Sequence, residues 1–188
     1  MDAKPYHHGD LRRVLLDAAV VAIAERGAAA LSLRDLARRA GVSHAAPTHH
    51  FRDKAGLLTA VAAEGFALLG TALAEADDFA ATGVAYVRFA TTHPGHFAVM
   101  FRPVLYHRDD PAVVAARDRT TAMLRGGARQ AFGDDDRVPA LAAWSLVHGM
   151  ATLIIDGALE LDPGTDVASL ARAAALRLAR SSASAHRR

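Results

Sequence analysis

Between positions 32 and 54 the sequence SLRDLARRAGVSHAAPTHHFRDK gathers hydroxyl, imidazole and cationic side chains into a short span. Ser32, Ser43 and Thr48 carry hydroxyls, His44 and His49 carry imidazoles, and Arg34 and Lys54 carry fixed positive charge. Hydroxyls, cations and the free N–H groups of helix N-termini are the groups that hold phosphate oxygens. An imidazole such as that of His44 can donate to or accept from purine N7 or guanine O6, and the methyls of Ala45 and Ala46 can pack on a thymine methyl. Together these are the partners of a nucleic-acid duplex rather than of a small polar substrate.

Such groups reach a groove only if helices hold them there. Ser32 is a good N-cap for a short helix, and Asp35 three residues on adds negative charge to its first turn. Leu33, Leu36, Ala37 and Ala40 recur at helical spacing, and Gly41 supplies the left-handed residue on which a helix ends. Val42 reads as a buried turn residue, and Ser43 as the cap of a second helix running to Phe51. Helix, short glycine-containing turn, helix is the helix-turn-helix arrangement, whose second helix enters the major groove of DNA. His44, Ala45 and Ala46 then occupy the turn lying deepest in the groove, with Thr48 and His49 nearer the phosphates. Pro47 stands at the fourth position of this helix and removes its first internal hydrogen bond, at less than the ~3 kcal/mol that proline costs in a helix interior.

Composition extends a helical plan to the whole chain. Its 188 residues are 52% hydrophobic, much of this alanine, and β-branched and aromatic runs are sparse. An all-α protein follows, with room for a DNA-binding unit joined to a larger partner domain. Periodicity and helix breakers predict about nine helices. They are 11–26, the two just described, 54–75, 79–92, 96–101, 111–132, one holding Pro139 and ending near 159, and 166–180. Asp10 is placed to cap the first, residues 133–136 form a polar loop, and 181–188 read as a frayed tail. Residues 1–56, with nine Lys/Arg against six Asp/Glu, form the DNA-binding domain, and residues 57–188, with thirteen against fourteen, form the larger distal domain.

Other classes lack their signals. No apolar run reaches the roughly 18 to 20 residues of a membrane span, and MDAKPYHHGD lacks the apolar core of a signal peptide, so a soluble, cytoplasmic protein with no membrane partner is expected. Without cysteine there is neither disulfide nor thiol chemistry. His7-His8, His49-His50 and His93-x-x-His96 join no zinc pattern. There is no glycine-rich phosphate loop or nucleophile elbow, and Asp109-Asp110 and Asp134-Asp135-Asp136 read as solvated loop charges. Neither an enzyme nor a cofactor is expected.

The order G-x(4)-S-x(3)-L-A-x(2)-A-G-V-S-x(6)-H-F-x-D-K, from Gly27 to Lys54, resembles the N-terminal DNA-binding domain of TetR-family transcriptional regulators. The resemblance is close from Gly9 to Leu58 and continues as a helical plan beyond. It implies a ligand-responsive homodimer, most simply a repressor, with Lys54 as the family's phosphate-binding lysine. The chain departs from the usual pattern at Thr48, where a tyrosine is commoner. By charge alone, Arg34 and Lys4 are further backbone-phosphate candidates.

A second, shorter resemblance links YVRFATTHPGHFAVMF and WSLVHGM to the ligand-binding half of a TetR subgroup marked by Trp-x(3)-His-Gly. Phe97, Met100, Phe101, Met123, Trp144, His148 and Met150 then line a cavity for a small, apolar effector, with His148 as its polar anchor. Against this stands the ordinary reading, in which aromatics and methionines at helical spacing are core and His148 is a satisfied buried histidine. Small residues at 149, 151, 157 and 158 allow close helix approach, so the last two helices can form a four-helix interface across a two-fold axis. The competing function is a constitutive DNA-binding protein whose distal half only dimerises; a metal-dependent enzyme ranks third.

Overall fold

The computed structural model describes residues 8–132 and 137–185. All regular structure among them is helical. In chain order come α1 (His8–Arg26), α2 (Leu33–Arg39), α3 (Ala46–Phe51), α4 (Lys54–Ala74) and α5 (Phe79–Thr92). Then follow α6 (Pro94–Met100), a 3-10 turn (Pro103–Leu105), α7 (Pro111–Phe132), α8 (Arg137–Ile155) and α9 (Val167–Ala185). The expectations at Lys4 and at Asp134-Asp135-Asp136 fall outside the described residues.

Several helix ends differ from the sequence reading. α1 already includes Asp10, which therefore does not precede the helix as a cap. Pro94 and Gly95 open α6 instead of only closing α5, in keeping with proline's preference for a first turn. α8 stops at Ile155, where the Ala158 and Leu159 N–H groups turn back onto the Leu153 carbonyl at 2.9 and 3.0 Å. α9 continues to Ala185, through the serines and alanines expected to fray. By length and composition α4 and the 138–155 stretch of α8 are apolar enough to cross a membrane, contrary to expectation. Glycine, threonine and alanine between their larger apolar residues disguise these runs in the sequence.

The chain forms two compact units. The first takes the chain up to Gly65 together with Pro94–Ala115, and the second Phe66–His93 with Ala116 onwards. The division between these compact units lies inside α4, and α6 belongs with the helix-turn-helix. In the first unit α1 packs on α2, α3 and α6 over a core that includes Leu15, Ile23, Leu36, Leu58, Val61 and Met100. Glu64 on α4 ties the helices together, pairing with Arg13 of α1 and lying 3.0 Å from the His96 imidazole of α6. In the second unit α5 packs on α8 and α9, which also pack on each other, around buried Tyr86, Val87 and Leu69. Asp78 caps α5 by accepting the Ala81 N–H at 2.6 Å, and pairs with Arg172 of α9 at 3.0 Å.

Candidate nucleic-acid interface

α2 begins with Ser32 in the extended N-cap position, yet its hydroxyl makes no capping bond, and Leu36 and Ala37 are its buried face. Asp35 does not complete a capping box, because it is turned to arginines instead. The helix ends on Gly41, at φ +65°. Gly41 donates to Arg38 at 3.2 Å and Val42 to Ala37 at 3.0 Å, the paired bonds that close a helix through a left-handed residue. Val42 itself is half-buried.

α3 starts later than the sequence reading placed it. Ser43 is not its cap; Ala45 holds that position without a side-chain bond, and the Ser43 carbonyl accepts the Ala46 N–H at 3.0 Å. The reason is Pro47. A helix capped at Ser43 would need an N–H at position 47, whereas Pro47 as the second residue of α3 sits where none is required. His44 and Ala45 therefore form the turn leading into the helix, exposed together with Ser43. The proline also dictates what is hidden: Ala46 and Pro47 are buried with Phe51, so the Ala46 methyl is not presented to a groove. Thr48 and His49 are exposed, and the His49 and His50 rings lie 5.3 Å apart.

Ion pairing sorts the cations of this unit. Arg26 and Arg38 both donate to Asp35, Arg39 joins it at 3.4 Å, and Arg39 also donates to Glu25 at 3.1 Å. Arg26 first, then Arg38, hold the Asp35 carboxyl down to about 2. Arg13 is fixed between Asp17 and Glu64, which raise its already high pKa further. Arg12 lies over the Phe51 ring, 5.2 Å from its centroid. Lys54 is half-buried and donates to the Ala29 carbonyl at 2.9 Å, so its ammonium also braces the loop between α1 and α2. Arg34 is exposed and forms no ion pair among the described residues.

The residues expected to line one cavity are divided between the units. Phe97, Met100 and Phe101 belong to the first, where Phe97 and Met100 are buried and the Phe97 and Phe101 rings meet edge-on at 5.2 Å. Met123, Trp144, His148 and Met150 belong to the second. There, a cavity of about 30 Å³ is lined by Phe79, Leu124, Ala143, Trp144, Val147 and Ala175 among others. His148 is not on that lining; it meets Tyr86, the first residue of the YVRFATTHPGHFAVMF stretch, which was not among the expected lining residues. The fully buried Tyr86 hydroxyl accepts from Trp144 Nε1 at 3.2 Å and lies 2.9 Å from His148 Nδ1. Burial raises the phenol pKa and lowers that of His148, in each case favouring the uncharged form. A tyrosine on an otherwise apolar stretch of α5 was the available signal, since a buried hydroxyl needs a partner.

Residues 15–61 match the family model of bacterial regulatory proteins, tetR family. Residues 79–178, more than half of the chain, match that of the tetracyclin repressor-like C-terminal domain. The chain belongs to the TetR family. That family is one of bacterial transcriptional regulators and not of enzymes. Among solved TetR-like structures, a protein with unknown function from Rhodococcus sp. RHA1 is 37% identical, with a TM-score of 0.73 covering 95% of this chain and 98% of that one. The TetR family transcriptional regulator PfmR from Thermus thermophilus is 27% identical, with a TM-score of 0.62 covering 88% and 97%. The HTH-type transcriptional regulator BetI of Escherichia coli is 51% identical over 49 residues, 26% of this chain and 25% of BetI. The chain thus spans about a quarter of the length of the curated relatives it matches.

Proposed function

We propose that this TetR-family chain is a homodimeric repressor that holds an operator in double-stranded DNA and leaves it when a small, apolar molecule enters the distal unit. The DNA-binding half of this reading is carried by one observation: Ser32, Arg34, Ser43, His44, Ala45, Thr48 and His49, at the start of α2, in the turn after it and on α3, are all exposed. The Ser32 hydroxyl, uncommitted to its own helix, and the Arg34 guanidinium suit phosphate oxygens, and His44 suits a purine edge. Lys54 retains N–H groups beyond the one given to Ala29 and can reach a phosphate beside it.

Dimerisation through α8 and α9 is supported by what α8 leaves uncovered. Only 11% of its 138–155 stretch is buried within the chain, and Val138, Leu141, Leu153 and Ile155 are exposed. A second copy covers such a face, and two readers then span half-sites about one helical turn apart, or a multiple. The site of action is the bacterial cytoplasm, where the DNA is. An effector shifts the dimer between states only by its differential affinity for them.

The constitutive reading also has support. The distal cavity, at about 30 Å³, has room for water but is far below the ~300 Å³ at the lower end of ligand sites, so an effector must displace groups such as Trp144 or Leu124. Selection of bound fragments from random or genomic DNA tests the DNA half: a paired, pseudo-palindromic sequence is expected, and the absence of any enriched sequence sinks specific regulation. A thermal-shift screen of lipophilic compounds separates the two readings. A ligand of the folded state raises Tm, whereas a flat screen favours the constitutive protein.

A further inference from the structure

We infer that Arg52, which follows the last residue of the recognition helix, is a further phosphate contact to DNA, aimed by a strained turn. The inference rests on the DNA-binding reading above. Arg52 closes α3 by donating its N–H to the Thr48 carbonyl at 2.8 Å. Its backbone stands at φ +69° and ψ −56°, and among the described residues it alone has positive φ without being glycine. The next N–H, from Asp53, donates to the Phe51 carbonyl at 2.8 Å. A hydrogen bond closed over three residues with this central geometry is the rare, strained form of γ-turn.

The turn persists because its surroundings leave no alternative. Phe51 before it is buried, and its carbonyl oxygen approaches so closely that a Cβ on Gly56 would stand 2.0 Å away. After it, the Asp53 carboxylate accepts the Gly56 N–H at 2.8 Å and the Asp53 carbonyl the Leu57 N–H at 3.1 Å, locking the start of α4. Glycine adopts this backbone and its mirror image equally well, so an arginine here works against the fold. Its side chain is exposed and gives no packing in return. Strain kept at a site that its neighbours over-determine points to function.

Charge leads to the same residue. Arg13, Arg26, Arg38 and Arg39 are held by carboxylates, Arg12 by the Phe51 ring, and Lys54 by the Ala29 carbonyl. Of the arginines and lysine between residues 8 and 54, Arg34 and Arg52 are left without an ion pair among the described residues, one in the first turn of α2 and the other at the end of α3. They bracket the reading turn. A guanidinium at such a place can take two phosphate oxygens through its planar fork.

The test is the salt dependence of binding to a random-sequence duplex by the full chain, followed by fluorescence anisotropy between about 50 and 200 mM salt. Each phosphate contact contributes ~0.9 to the slope of log affinity against log salt, so Arg52→Ala is expected to lower the slope by ~0.9 per protomer. Arg52→Lys keeps the charge and the slope. Arg52→Gly lowers the slope as Arg52→Ala does while raising Tm, because the strain is relieved, which separates a lost contact from a damaged fold. Arg172→Ala, in the other unit, leaves the slope alone. A wild-type slope in Arg52→Ala overturns the assignment, and a lower Tm for Arg52→Gly with an unchanged slope marks Arg52 as a helix-end stabiliser instead. Failure of the wild type to bind any duplex overturns the DNA-binding reading itself, and this inference with it.

Discussion

Asp35 stands among Arg26, Arg38 and Arg39, and its carboxyl is held at about 2. An unfolded aspartate titrates near ~3.9, so the folded value is depressed. A depressed carboxylate stabilises the fold above its unfolded pKa, and that stabilisation is lost as pH falls through the folded value. Stability is therefore expected to decline between about pH 4 and pH 2, in part through Asp35. Asp35→Asn should flatten that limb in denaturant melts taken across this range; Asp78, lowered mainly by the Ala81 N–H, and Asp166, lowered mainly by the Ser169 hydroxyl, keep some of it. Tyr86 acts in the distal unit through two bonds at one buried oxygen. Tyr86→Phe removes both, and a loss of about 1–3 kcal/mol in unfolding free energy is expected from urea titration. A change near zero would mean that water or a repacked neighbour replaces the hydroxyl.

The junction of α3 and α4 depends on elements meeting at a close distance. α3 is only six residues long, starts where Pro47 allows, and ends in the turn at Arg52. Gly56 in the first turn of α4 leaves space for the Phe51 carbonyl, so a methyl there forces the two helices apart. Gly56→Ala is predicted to destabilise the chain by about 1–3 kcal/mol, the range for overpacked sites. It should also weaken duplex binding, since the recognition helix is re-aimed. An unshifted Tm in a calorimetric scan would show that the junction yields easily.

At the scale of the whole molecule, the uncovered side of α8 presents a broad apolar surface. An exposed leucine face of this kind in a DNA-binding regulator is expected to be covered by another copy. Leu141→Glu places a charge on it twice in a symmetric dimer. A rise of at least about tenfold in the dimer dissociation constant is expected, the equivalent of about 1.4 kcal/mol, with sedimentation velocity as the measurement. Operator affinity should fall in parallel, because one reader alone makes too few contacts. A Leu141→Glu protein that stays dimeric would place the interface elsewhere.

Helix class, helix order and the helix-turn-helix were legible in the residues themselves. Their determinants are local: alanine-rich periodicity, a glycine where φ must be positive at Gly41, and a proline at the start of α7. The bounds of α5 and α7 coincide with those read from the sequence for the same reason. Other features depended on neighbours distant in the chain. Periodicity marks an apolar face without saying what covers it, so it could not assign α6 to α1 or separate Phe97 and Met100 from Trp144 and His148. Nor could it foresee that Ala46 is buried, that Tyr86 joins Trp144 to His148, or that Asp35 engages three arginines while Arg34 and Arg52 stay open to solvent. Hydrogen bonds between side chains and ion pairs act over a few ångströms in space, and only the packed helices decide which residues come that close.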